Sequence, residues 1–81
     1  MEFIDIESKV KKILMERFQC RAEEDFLSSR MVEDLGLDHA ETFELIAEAE
    51  EKCGATIPED QLENIRTVGD LARQLKQSIP D

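Results

Sequence analysis

The stretch MVEDLGLDHAETFELIAEAEEKCG, residues 31–54, decides the fold of this chain. It predicts a long helix from His39 to Cys53, because apolar residues recur there at spacings of three and four. Asp38 is a good N-cap, Glu41 completes a capping-box pattern three residues later, and Gly54 is a natural C-terminal stop. We expect the buried side to be the row Phe43, Ile46, Ala47, Glu50 and Cys53, flanked by Leu45 and Ala49.

The flanking sequence predicts further helices. One runs from Asp5 or Ile6 to Phe18, and another from Thr67 to about Gln77, with Asp70 in the capping-box position. A short helix is expected over residues 59–64, after a proline. Residues 19–30 lack sustained periodicity and predict a long loop held down by apolar anchors. The expected fold is all-α: a four-helix bundle of three longer helices and one short helix, with the long loop between the first and second.

The length of 81 residues predicts a single domain, residues 1–81, since domains usually need roughly 100–200 residues each. A domain this small buries little more than about 60% of its chain surface, so a few well-packed helices must stabilise it. The expected core consists of Val10, Leu14, Phe18, Phe26, Val32, Phe43, Ile46, Ile57, Ile65, Val68, Leu71 and Leu75.

Composition narrows the class of protein. The sequence has no signal-peptide pattern and no run of about 18 apolar residues, which predicts a cytoplasmic protein without a membrane span. Twenty acidic against ten basic residues give a net charge of −10, which disfavours nucleic acid as a partner. Cys20 and Cys53 have no metal-binding spacing and are expected to be free thiols. No metal site is predicted.

The acidic residues are concentrated in one region. Residues 33–63 hold eleven acids and one base, Lys52. Such a region would attract a basic protein surface, although a solvated helix with a high content of glutamate accounts for the same composition.

Met31-Val32-Glu33-Asp34-Leu35-Gly36-Leu37-Asp38, followed by Glu41-Thr42-Phe43-Glu44-Leu45, closely resembles the signature region of acyl carrier proteins. The resemblance covers about residues 6–77. Further stretches that agree in order are Val10-Lys11-Lys12-Ile13, Ile57-Pro58-Glu59 and Thr67-Val68-Gly69-Asp70.

The resemblance implies a 4'-phosphopantetheine arm on a serine at the start of the second helix, within an Asp-Ser-Leu motif. Here that tripeptide reads Asp38-His39-Ala40, so His39 occupies the serine's position. Attachment needs a hydroxyl to form a phosphodiester, which imidazole cannot do, and neither Thr42 nor a serine of the loop is an obvious substitute. No cofactor is therefore expected with this sequence, and 4'-phosphopantetheine is expected if position 39 is natively serine.

The resemblance also implies that the second helix docks on basic surfaces of acyl-metabolism enzymes. The residues expected to bind such partners are Asp38, Glu41, Glu44, Glu48, Glu50 and Glu51. The alternative is that these glutamates only solvate the helix.

Two functions follow as hypotheses. The first is a monomeric, non-enzymatic binding module of acyl or fatty acid metabolism that lacks the arm. The second is a genuine acyl carrier of fatty acid or polyketide synthesis in which the serine at position 39 has been substituted. No catalytic residue is predicted: His39 could be a ligand or a pH-sensitive contact, but an exposed first-turn residue is the simpler interpretation, because no nucleophile can be assigned beside it.

Overall fold

The computed structural model describes residues 2–20 and 26–79, and within these ranges the chain is helical with no strand. An isolated antiparallel bridge joins Arg30 to Thr67. The elements are α1 (Phe3–Arg17), a 3-10 helix (Phe26–Ser28), α2 (His39–Cys53), a 3-10 helix (Glu59–Asn64) and α3 (Val68–Ser78). The all-α prediction of three longer helices and a short one before the last is confirmed. The short helix is a 3-10 helix, and α1 begins at Phe3, before the predicted start.

The predicted helix boundaries of α2 are confirmed by its caps. Asp38 and Glu41 form a capping box, and Gly54 ends the helix with φ 67° in the left-handed region that glycine adopts without strain. At the other predicted capping box, Thr67 and Asp70 begin α3 in the same way. Local side-chain chemistry therefore sets where these two helices start.

The core lies where α1 packs on α2 and α3. Eight large side chains in it are almost fully buried: Ile6, Val10, Leu14, Met31, Leu45, Val68, Leu71 and Leu75. Three predicted core members differ: Val32 and Phe43 are 49% and 56% exposed, and Phe18 is only partly buried against the core. The prediction was wrong for Val32 and Phe43, whose side chains lie at the surface.

The buried side of α2 is rotated from the predicted row. It consists of Leu45, Ile46, Ala49 and Cys53, whereas Phe43 and Ala47 are exposed. At about 100° per residue the true row lies about a quarter of a turn from the predicted one. The two rows share Ile46 and Cys53, which is why spacing alone did not separate them.

The described part of the loop between α1 and α2 is packed down as predicted. Phe26, Met31 and Leu37 are buried, while residues 21–25 lie outside the described residues. The Met31 amide donates to the Arg66 carbonyl at 2.9 Å, so the loop crosses the start of α3. The Arg30 side chain and amide donate to the Asp34 carboxylate, which holds the pKa of Asp34 below its usual value. Residues 26–37 of the loop therefore form a packed support for the start of α2.

Across residues 2–20 and 26–79, every helix is too short or too polar to span a bilayer.

Candidate functional site

The start of α2 presents His39 to solvent. His39 is the exposed first residue of the helix, directly after the N-cap Asp38. The Glu41 amide donates to Asp38 Oδ1 at 2.7 Å, and the Asp38 amide donates to Glu41 Oε1 at 3.2 Å. These reciprocal bonds hold the backbone on both sides of His39, so its imidazole is displayed on a rigid turn.

The chemistry around His39 does not fit a phosphodiester-linked arm. Thr42 has the only hydroxyl between residues 36 and 55 in the sequence, and it lies one turn along the helix. Its Oγ1 donates to the Asp38 carbonyl at 2.9 Å, and the residue is half-buried. The exposed position therefore has an imidazole, and the nearest hydroxyl is engaged with the backbone.

Three of the predicted glutamates come together on the side of α2 next to α1. Glu44, Glu48 and Glu51 line a shallow depression of about 220 Å³ together with Ala47 and Arg17. From α1, Arg17 donates to Glu48 at 3.2 Å and lies 3.8 Å from the Glu44 carboxylate. Sequence reasoning missed this cation, because no local signal relates residue 17 to residues 44 and 48.

Asp38 and Glu41 lie apart from this cluster, in the capping box at the start of the helix. Glu50 is separated from it by its orientation. Its Oε2 accepts from the Ile57 amide at 2.7 Å, and the side chain is partly buried. Glu50 thus ties the end of α2 to the following segment. Its place in the predicted buried row with Ile46 and Cys53 was the signal for this internal contact.

The exposed face of α2 also has an apolar component. Phe43 precedes Glu44 on the helix and is 56% exposed, which is unusual for a large aromatic side chain. Val32, on the loop before α2, is 49% exposed and lines a groove with Thr42. Exposed apolar groups bordered by charges are typical of protein contact surfaces.

The two thiols are poor nucleophiles in this setting. Burial raises the pKa of Cys53, and the nearby Lys9 ammonium offsets only part of that effect. Burial and the Glu41 carboxylate both raise the pKa of Cys20. Both cysteines are free, and thiols held in the protonated form attack electrophiles slowly. In the part of the chain that the structure describes, no cluster of three or more His, Cys, Asp or Glu side chains could hold a metal ion.

Comparison with known proteins agrees with this architecture. Residues 8–75 match the family model described as "Phosphopantetheine attachment site". The chain is 38% identical over 74 residues to acyl carrier proteins of Rhodopseudomonas palustris strains TIE-1 and BisB5 and of Nitrobacter winogradskyi. Each alignment covers 91% of this chain and 94% of the relative. These proteins are carriers, not enzymes, and the chain belongs to the acyl carrier protein family.

Proposed function

We propose that this chain is a binding module of acyl metabolism that cannot take a 4'-phosphopantetheine arm at position 39 and acts by docking α2 on basic partner enzymes. The family's prosthetic group is 4'-phosphopantetheine, and its members interact with enzymes of acyl metabolism. The observation on which the proposal rests is the exposed imidazole of His39 at the rigid start of α2, beside an exposed face of glutamates and phenylalanine.

Position 39 corresponds, in this proposal, to the attachment site of the family. A serine there would be exposed and held by the Asp38–Glu41 capping box. His39 keeps that exposure and removes the hydroxyl oxygen that forms the phosphodiester. The substitution would therefore leave the docking geometry intact while removing the covalent arm.

We define the docking face as Ala40, Phe43, Glu44, Ala47 and Glu51, all of them exposed. The face combines two carboxylates with two small and one aromatic apolar side chain, which suits a basic partner with an apolar centre. Asp38, Glu41 and Glu48 add negative charge at its border, whereas the internal contact of Glu50 removes that residue from the face. Electrostatic attraction would mainly raise the association rate.

Arg17 moderates the charge of this face. It pairs with Glu48 and lies near Glu44, and both partners are more than one-fifth exposed, so these ion pairs are weak. A basic partner would compete with Arg17 for the same carboxylates. We therefore expect the Arg17→Gln variant to bind a basic partner more tightly than the parent chain.

Two further properties remain predictions from the sequence. A net charge of −10 opposes self-association, which agrees with a monomer. The cytoplasmic location also stays a prediction.

The alternative function is a genuine acyl carrier whose natural serine has been replaced at position 39. The match to the attachment-site family across residues 8–75 favours it, because the whole scaffold agrees with carriers. The intact mass of the protein from its native host separates the two functions. A mass that matches the His39 sequence supports the arm-less module, and an added phosphopantetheine group overturns it.

Docking is tested with the His39→Ser background and a phosphopantetheinyl transferase, an enzyme that must bind carriers of this family. The rate of modification is compared between the Glu44→Lys/Glu51→Lys pair and a control pair, Glu59→Lys/Glu63→Lys, with the same change in charge. We expect the first pair to slow modification at least about tenfold and the control to change it little.

Equal rates in both pairs would rule out the docking face as the recognition surface for that enzyme. If the His39→Ser protein is not modified at all, the surface has diverged from that of true carriers, and binding of the transferase to the unmodified chain is then compared for the same pairs.

A further inference from the structure

Arg17 also lines a second groove, which is positively charged although the molecule as a whole is acidic. It lies between α1 and α2 and encloses about 250 Å³. Its lining consists of Lys9, Lys12, Ile13, Glu16, Arg17, Glu48 and Lys52. Four cations against two carboxylates leave a surplus of two positive charges, in a chain whose net charge is −10.

The three lysines of the groove have no carboxylate partner among the residues that the structure describes. Within residues 2–20 and 26–79, none of Lys9, Lys12 and Lys52 forms an ion pair, whereas Arg17 pairs with Glu48 at 3.2 Å. Of the two carboxylates that line the groove, Glu16 forms no ion pair with the described residues, and it lies among three lysines. Like charges at one site repel each other, so an anion placed between them would be stabilised.

The position of the lysines agrees with a shared site. Lys9 is half-buried on α1 and lines the groove with Lys52 of α2. Lys52 precedes Cys53 at the end of α2. The two lysines therefore line the groove from different helices, and Ile13 adds an apolar side chain to the lining.

We propose that this groove binds a small soluble anion with a diphosphate group. Lysine ammonium groups act as point charges toward phosphate oxygens, and several of them can share the two phosphates. The volume of the groove is smaller than that of sites for drug-sized molecules, which is about 300–1,000 Å³, and this favours a compact ligand. The surrounding acidic surface would repel a long nucleic acid or an extended anionic membrane, but a small anion would meet mainly the groove. This inference does not rest on the proposed docking function, although Arg17 and Glu48 border both surfaces.

Inorganic pyrophosphate is the probe, titrated at low ionic strength into the full chain while backbone amide resonances are recorded. We expect saturable shifts confined to the second half of α1 and the end of α2. The Lys9→Gln/Lys52→Gln pair should weaken the affinity about tenfold. The control pair Lys11→Gln/Arg66→Gln removes the same charge outside the groove and should change it less than about twofold.

The pair Lys9→Arg/Lys52→Arg retains both positive charges and is expected to keep most of the affinity. It separates the loss of charge from the loss of the lysine side chains themselves. Equal weakening in the glutamine pair and the control pair would overturn the proposal, because it would mean diffuse attraction. Shifts that do not saturate, or that map to α3, would overturn it as well.

A second arm distinguishes a soluble phosphate compound from a lipid headgroup. The chain is sedimented with vesicles of phosphatidylglycerol and phosphatidylcholine at the same ionic strength. We expect it to remain in the supernatant, because a recessed groove on an acidic protein cannot approach a flat anionic surface. Pelleting that depends on Lys9 and Lys52 would overturn the assignment to a soluble ligand.

Discussion

The helices α2 and α3 begin with the same local motif in different surroundings. The Asp38–Glu41 box is exposed, whereas the Thr67–Asp70 box is partly buried and Asp70 also accepts from the Arg66 amide at 3.1 Å. At the first helical position α2 has an exposed His39 and α3 has a fully buried Val68. The start of α2 is therefore exposed and accessible to a partner, whereas the start of α3 packs into the core and stabilises the fold.

The next positions extend this contrast. Gly69, the second residue of α3, lies against the loop: a Cβ there would be 2.8 Å from the Leu27 carbonyl oxygen. Its counterpart in α2 is Ala40, which is exposed. The Val68 amide also donates to the Ser29 carbonyl at 3.0 Å. The start of α3 therefore supports the loop that leads to α2, and substitutions there should cost far more stability than those at the start of α2.

The largest expected effect concerns apolar side chains near the starts of the two helices. Leu71→Ala should lower the free energy of unfolding by about 2–5 kcal/mol, because Leu71 is fully buried and its loss leaves a cavity. Phe43→Ala should change it by no more than about 0.5 kcal/mol. Chemical denaturation of both variants measures the difference. A large loss in Phe43→Ala would contradict the assignment of Phe43 to the docking face.

Second in size is the exchange of glycine and alanine at matched positions. Gly69→Ala should destabilise the protein by about 1–3 kcal/mol, because the added methyl group meets backbone that cannot move without disturbing the loop. Ala40→Gly should cost no more than about 1 kcal/mol, the loss of helix propensity. Thermal unfolding of both variants is the measurement, and equal stability of Gly69→Ala and the parent would mean that the loop can yield.

The third prediction concerns acid stability. Burial raises the pKa of Asp70, but hydrogen bonds from Thr67, Arg66 and Arg73 outweigh it, so the net pKa is lowered. The stabilisation is thus present above the unfolded-state pKa of about 3.9 and is lost as the pH falls through the lower folded-state value.

Asp70→Asn should therefore lower the free energy of unfolding by about 1 kcal/mol at pH 7, and the deficit should shrink below about pH 4. Denaturation curves of parent and variant between pH 7 and pH 2 provide the measurement. A deficit that is constant with pH would assign the effect to altered packing instead of charge.

The smallest expected effect is at His39. Because the side chain is exposed, His39→Ala should change the free energy of unfolding by less than about 0.5 kcal/mol. The matched variant Val68→Ala should be clearly destabilising, since Val68 is fully buried. Comparable losses in the two variants would mean that the start of α2 is also structural, and the contrast between the two helix starts would fail.

Much of the fold could be predicted because its signals are local. Both capping boxes and the αL stop at Gly54 depend on residues within one turn of each other, and these predictions are confirmed. The candidate site was less accessible to sequence reasoning. The burial of Glu50 and Phe43 depends on how α2 is rotated about its axis. The spacing of apolar residues is compatible with two buried rows about a quarter of a turn apart, and it does not decide between them.

By itself, the sequence determined the helical class, the caps of α2 and α3, the family resemblance and the absence of a hydroxyl at position 39, because each is a matter of residue identity or short-range hydrogen bonding. Only the tertiary structure decided which face of α2 is exposed, that Arg17 pairs with Glu48 and that Glu50 bonds to Ile57. The packing of α1 and α3 against α2 sets that rotation, and contacts between residues distant in the chain have no local signature from which they could be predicted.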